Sequence, residues 1–405
     1  MKSPQRRVLR LRAACALLCL RQMLLVCYEG ETRVCGLALT HAQACCRGRP
    51  LRLFATAALR GGSRSWSCIG PSRSREPAHT RRHFMKMPWD QEEAPPQPLP
   101  EVNVSKYTLN DGREMPQYGL GTYMVPPGWQ TYDAVESALR LGYRLIDTAQ
   151  VYQNENDVGS AVLNSGLPRE QVFVVTKLWG TAHGYAAALR AGQLSVRTLG
   201  LAYVDLFLMH DPGARMVETY DALLELRDMG LARSVGVANF GVRHLEALRE
   251  AGRPAPAVNQ VEMHPVISPE RQELVEYCRR HGILVQAYGS MLSGRSVPLA
   301  HPALAQLAAQ RKRTPTQVLL RWGLDRGFQV IPKSVSPGRM RENQDIFDFQ
   351  LSNQEMELLE TEMSASIGKL GVYWNPVDQA PVDLGDVTAH PHLDGAAWAP
   401  VAVTS

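Results

Sequence analysis

Four polar residues in this 405-residue chain have types and spacing suited to proton transfer: Asp147, Tyr152, Lys177 and His210. Asp147, Lys177 and His210 sit at or near the ends of three successive apolar runs, and Tyr152 follows Asp147 in the segment Gln150–Glu155. A phenol, with a pKa of about 10, is a feeble acid at neutral pH. A neighbouring ammonium favours the phenolate and lowers that pKa, and a carboxylate beside the ammonium favours its charged form despite burial. A chain from Asp147 to Lys177 to Tyr152, with His210 donating a second hydrogen bond, would protonate an oxygen that gains negative charge. Carbonyl reduction creates that charge when hydride reaches the carbon, and hydride has to come from a cofactor. Taken singly, each residue has an ordinary use: a cap for Asp, packing for Tyr, a solvated charge for Lys. Their shared place at strand ends is what argues for convergence.

The elements that must position them recur about every 30 residues. Eight short apolar runs suit buried strands: Tyr118–Met124, Tyr143–Thr148, Val172–Leu178, Val204–His210, Ser234–Asn239, Val258–Glu262, Ile283–Tyr288 and Gln329–Lys333. Helix-period segments separate them, several closed by a glycine such as Gly142, Gly200 or Gly230. The longest gap, before Gln329, leaves room for one additional helix. Eight strand–helix units predict an α/β fold of the (β/α)8 barrel type, with active-site residues at the C-terminal strand ends. Ahead of them, Val104–Leu109, an Asn110-Asp111-Gly112 turn and Arg113–Met115 predict a β-hairpin at the bottom of the barrel. A doubly wound sheet is disfavoured, because the G-x-G of Gly119–Gly121 is followed by Met124 where a third glycine belongs.

Charge divides the chain. Residues 1–93 carry 17 Lys+Arg against 6 Asp+Glu, while the remainder carries 27 against 33. Seven of the eight cysteines also lie at or before Cys68. The basic pI of about 8.8 thus belongs to an extension, which weakens a nucleic-acid reading of the body. Within that extension, Ala13–Leu20 is too short for a stable membrane span, and Thr32–Arg75 has eight Arg and no acid. An organelle, plastid or mitochondrion, is expected if this stretch is a targeting peptide, and the cytoplasm if translation starts near Met85 or Met87. The expected divisions are a disordered extension over 1–93, a Pro-rich linker over 94–101, the barrel over 102–365 and a tail over 366–405. The tail carries Tyr373, Trp374 and Trp398, which could line the pocket or cover the barrel.

The motifs, in order, make the body resemble the aldo-keto reductase family. They are Gly119-Leu120-Gly121-Thr122, Gly142–Ala149, Tyr152-Gln153-Asn154-Glu155, Thr176-Lys177-Leu178-Trp179, Ser234–Phe240, Val258-Asn259-Gln260 and Ile331-Pro332-Lys333-Ser334. The resemblance implies a catalytic set of Asp147, Tyr152, Lys177 and His210, with Tyr152 as general acid. It implies that Asn239 and Gln260 hold the carboxamide of a nicotinamide and that Tyr288 stacks beneath the ring. Lys333, Ser334, Arg339 and Asn343 then lie where the family grips an adenosine 2′-phosphate, so NADPH/NADP+ is the implied cofactor. Tyr123 and Trp179 would line the substrate pocket with His210. The implied activity is reduction of a small-molecule aldehyde or ketone to an alcohol by a monomer. The alternatives are an NADPH-binding sensor or auxiliary subunit with little turnover, and a barrel using Lys177 as a Schiff-base nucleophile.

Four departures stand out: Ala238 for a common Ser, Gly289-Ser290-Met291 for Ser-Pro-Leu, and Asp211 and Tyr123 at positions often held by Trp. Asp211 is expected to make the substrate mouth more polar. Gly289–Ser296 comes within one residue of a phosphate-binding loop, but Arg295 stands where Lys is required and no helix clearly starts at once. No metal site is predicted: His264, His281 and His301 are scattered and read as surface or loop residues. Cys278 reads as an inert packed thiol.

Overall fold

The computed structural model describes residues 105–367 and Val377. The expected extension, the linker and nearly all of the tail lie outside these residues.

Eight parallel strands run in sequence order around a barrel: β3 Leu120–Gly121, β4 Leu145–Asp147, β5 Phe173–Leu178, β6 Val204–Met209, β7 Ala232–Ala238, β8 Val258–Glu262, β9 Leu284–Tyr288 and β10 Gln329–Val330. The ring closes where Gly119 N donates to Val330 O at 2.9 Å and Gly121 N to Pro332 O at 3.1 Å. Parallel bridges join Tyr118 to Val330 and Gly121 to Lys333 along the same seam. Glycine is required there for space: a Cβ at Gly119 would lie 2.3 Å from Leu145 Cδ2, and one at Gly121 would lie 2.9 Å from Ile331 O. β5 and β6 are buried at every position. That is the pattern of strands with one face on the barrel interior and the other under helices.

The first and last strands are shorter than the sequence pattern predicts. β3 stops before Tyr123 and Met124, where Pro126 and Pro127 follow without N–H groups and Met124 turns to φ +57°. β10 ends at Val330, two residues before Pro332, which has no N–H to donate although its carbonyl accepts from Gly121, and a bridge to β3 forms again at Lys333.

Helices cover the strands: α1 Trp129–Arg140, α2 Glu155–Asn164, α3 Tyr185–Leu199, α4 Met216–Asp228, α5 Val242–Glu250, α6 Ser268–Arg280, α7 Ser296–Leu299, α8 Pro302–Arg311, α9 Pro315–Asp325, α10 Pro337–Gln344 and α11 Asn353–Ile367. The long gap before β10 holds α8 as its additional helix, and the short α7 besides. Against expectation, α7 begins directly after Arg295, but it is only four residues long. α9 shows how sequence sets a boundary: Thr314 accepts from Gln317 N, the Gln317 side chain accepts from Thr314 N, and Pro315 opens the helix.

The hairpin of β1 Lys106–Thr108 and β2 Glu114–Pro116 closes the N-terminal end of the barrel. Its side chains bond to backbone carbonyls near the starts of three strands: Asn110 to Pro256, Arg113 to Arg233, and Tyr107 to Phe328. Leu109 and Met115 pack into the inner core with Leu145, Val175, Leu206 and Val258. The floor is therefore apolar and shut, which leaves the opposite end for chemistry.

Candidate active site

Asp147 ends β4 and Lys177 is the fifth residue of β5, next to it in the ring. Lys177 Nζ lies 2.6 Å from Asp147 Oδ1 and donates to Thr148 O at 2.9 Å and to the Tyr152 hydroxyl at 3.2 Å. Asp147 Oδ2 accepts from Gln260 Nε2 of β8 at 2.8 Å. The three residues expected to form one chain do so in the expected order.

Tyr152 reaches that chain from a short 3-10 turn, Gln150–Tyr152, followed by Gln153 at φ +58°. Two side chains that the sequence reading left without a role hold this turn. Fully buried Asn154 accepts from Thr148 Oγ1 at 2.7 Å and donates to the carbonyls of Thr122 and Val125. Gln150 accepts from Trp179 N and donates to Ala191 O. The three tethers of Asn154 had no signal in the sequence.

Burial pulls the Lys177 ammonium below its ordinary value, and the Asp147 carboxylate opposes that pull. Burial likewise pushes the Asp147 carboxyl up, against Lys177 and Gln260. The carboxylate does favour a charged Lys177, as expected, but desolvation is the larger effect on both partners.

His210 follows β6 and is nearly buried. Its ring meets Trp179 edge-on at 5.1 Å and Tyr152 edge-on at 5.9 Å, while the Tyr123 ring lies 5.1 Å from that of Tyr152. These four rings are brought together as predicted. Asp211 is a correction. It does not open onto the cavity; it is fully buried, with Oδ1 3.5 Å from His183 Nε2. Successive residues of an extended chain point to opposite sides, so a His210 that faces the cavity turns Asp211 away from it. His264 lies in the loop after β8, one of the two places expected for it, but it is wholly buried, 3.2 Å from Glu262. Cys278 is buried as expected, and burial pushes its thiol up to about 12.

A cavity of about 640 Å³ joins these groups to the predicted cofactor residues, a size usual for small-molecule sites. Every predicted site residue lines it except Lys177, which stands behind Tyr152 and Asp147. Asn239 holds φ +61°, donates to His210 O at 2.9 Å and accepts from the Tyr288 hydroxyl at 2.8 Å. At the other end, Lys333 and Arg339 make no ion pair among the described residues, and Ser334 precedes the Ser336-capped start of α10. Partial burial, and after it the proximity of Arg339, lower the Lys333 amine. Two cations held near each other beside a helix N-terminus suit an anion. Arg295 also lines the cavity, and its Nη2 has no partner among the described residues.

The family model described as "Aldo/keto reductase family" matches residues 119–362. An aldo-keto reductase of Mycolicibacterium smegmatis is 46% identical over 254 residues, covering 62% of this chain and 90% of that protein. The glyoxal reductase of Bacillus subtilis is 40% identical, over 62% of this chain and 90% of its own length. The 9,11-endoperoxide prostaglandin H2 reductase of Trypanosoma cruzi is 39% identical, over 64% and 91%. Among solved structures, the aldo-keto reductase MGS-M4 from a Medee basin deep-sea metagenome library superposes with a TM-score of 0.63 at 36% identity, covering 68% of this chain and 99% of that one. The chain belongs to the aldo/keto reductase family. It is therefore an oxidoreductase of the class that acts on small-molecule carbonyl compounds.

Proposed function

We propose that this protein reduces an aldehyde or ketone to the alcohol, with NADPH as hydride source and Tyr152 as proton donor. The observation that carries the reading is the Lys177 ammonium 3.2 Å from the Tyr152 hydroxyl, backed by Asp147 at 2.6 Å, at one end of a cavity whose other end is cationic.

The residues present fit that cofactor. Lys333, Ser334, Arg339 and Asn343 would hold the 2′-phosphate: neither cation is ion-paired among the described residues, and two such charges suit a phosphate better than a free hydroxyl, with Glu342 the one acid lining that end of the cavity among the described residues. Arg295 would face the remaining phosphates. Both hydrogens of the Gln260 amide are committed, to Asp147 and Gln286, so its oxygen is the atom left to accept from a carboxamide. Asn239 keeps one N–H to donate, and the Tyr288 ring would form the surface beneath the nicotinamide. NADPH, when bound, supplies the hydride.

The remaining work falls to the chain. His210 and Tyr152 hydrogen-bond the carbonyl oxygen and orient it, and Tyr123 and Trp179 wall the substrate. As charge develops on that oxygen, the Tyr152 O–H bond breaks and the proton passes to it. The phenolate left behind is stabilised by Lys177, whose own charge is favoured by Asp147. Lys177 is unsuited to Schiff-base chemistry, because its Nζ is enclosed by three hydrogen-bond partners and does not line the cavity. The relatives' names, covering glyoxal and a prostaglandin endoperoxide, support a small-molecule substrate without singling one out.

The test is NADPH consumption by the full chain over a panel of aldehydes and ketones. Turnover of at least one carbonyl supports the reading. Tight NADPH binding with none would replace it by a sensing role, and absence of NADPH binding would overturn it.

A further inference from the structure

Gln286 on β9 has entered so far only as an acceptor for the Gln260 amide, and it does not line the cavity. Its side chain is fully buried in the barrel. It lies in register with Gln260 on β8 and with Gln329 on β10. Gln286 Oε1 accepts from Gln260 Nε2 at 2.6 Å, and the same nitrogen donates to Asp147 Oδ2 at 2.8 Å. The Asp147 carboxylate fixes which way the Gln260 amide points, since a carboxylate can only accept. Gln286 supplies the second acceptor. A turned Gln260 amide would set its oxygen against two other oxygens at once.

Packing does not account for Gln286. Its own Nε2 is buried with no partner among the described residues. An unsatisfied buried donor is costly, and an apolar residue of the same length would avoid that cost. A polar group kept against its local cost is a mark of function.

We propose that Gln286 is a positioning residue that locks the Gln260 amide, with Nε2 on Asp147 and Oε1 toward the nicotinamide carboxamide. It thereby ties cofactor recognition to the Asp147–Lys177–Tyr152 chain. The proposal rests on the NADPH reading above and deepens it.

The experiment is fluorescence titration of the full chain with NADPH, beside the pH profile of kcat. Gln286→Met removes the acceptor and keeps the length; it weakens NADPH binding by about tenfold and shifts the pH profile, because Asp147 loses its fixed donor. Gln286→Glu keeps an acceptor oxygen, and beside Asp147 the new carboxyl stays protonated, so binding stays within about threefold of the parent. In a Gln260→Leu background, Gln286→Met weakens binding no further. A space-filling role gives the opposite order, with Met tolerated and Glu not. That order, an unmoved pH profile, or a full Gln286→Met effect in the Gln260→Leu background overturns the proposal. If Gln286→Met does not fold, Gln286→Leu carries the same comparison. Failure of the parent to bind NADPH would overturn the underlying reading, and this proposal with it. A parent that binds beside variants that bind equally well would overturn this proposal alone.

Discussion

The Tyr288 hydroxyl donates to Oδ1 of Asn239 at 2.8 Å, and Asn239 adopts φ +61° in that arrangement. The same amide donates to the carbonyl of His210, so the proposed cofactor wall is tied to the backbone of a proposed catalytic residue. Tyr288→Phe removes only the first bond and should cost about 1 kcal/mol of stability. Asn239→Ala removes both bonds and places Ala in a left-handed conformation, which should cost about 2–3 kcal/mol. Urea denaturation of the two variants decides. Equal losses would show that neither the strain nor the second bond matters.

Tyr152→Phe keeps the ring packed against Tyr123 and His210 but removes the proposed proton donor. Carbonyl turnover should fall by about 10²–10⁴-fold, with NADPH affinity unchanged. A variant that retains half of the parent rate would exclude Tyr152 as the acid.

Lys177→Met leaves the buried Asp147 carboxylate without its cation. A loss of about 3–5 kcal/mol in stability is expected. Adding Asp147→Leu should return part of it, because two apolar groups cost less than one unpaired charge. Denaturation midpoints lower in the double variant than in Lys177→Met would contradict this.

Burial pushes the Asp211 carboxyl well above its ordinary value of 3.8. Folding therefore favours the protonated form. The associated stability is fully present below the unfolded value and is lost as pH rises through the raised folded one. Asp211→Asn removes the titration. Its stability relative to the parent should climb as pH rises above about 4 and then level off. Paired urea melts across the pH range that keeps both proteins folded would reveal the trend, and a flat or falling difference would refute it.

Arg339→Ala should weaken NADPH binding by about tenfold or more and leave NADH binding unchanged, because in the proposed site the lost charge would face only the 2′-phosphate. Parallel loss for both dinucleotides would place Arg339 elsewhere on the ligand.

The Asp147–Lys177–Tyr152 chain was legible because strand ends in a barrel face one way, and because Asp147, Lys177 and His210 each close or follow an apolar run. Alternation along the chain explains what was misjudged. It turns Asp211 away from the cavity once His210 faces in. The same alternation could have found Gln286, two residues before Tyr288 on one strand and therefore on its inner face. The roles of Asn154 and Gln150 were not legible, because their partners lie on separate segments that only the closed ring brings within reach. β3 and β10 were overextended because apolar character outruns pairing where prolines remove donors.

The seam between β3 and β10 also bears on biosynthesis. The proposed proton donor belongs to the early part of the barrel, and the cationic grip belongs to its last strand and α10. A nascent chain that has emerged only as far as Asp325 already carries Asp147, Tyr152, Lys177 and His210, yet it lacks Lys333 and Arg339. It also lacks the partner strand that Gly119 and Gly121 need. On the proposed reading, competence therefore waits for Lys333 and Arg339 to join the ring, when β3 and β10 meet.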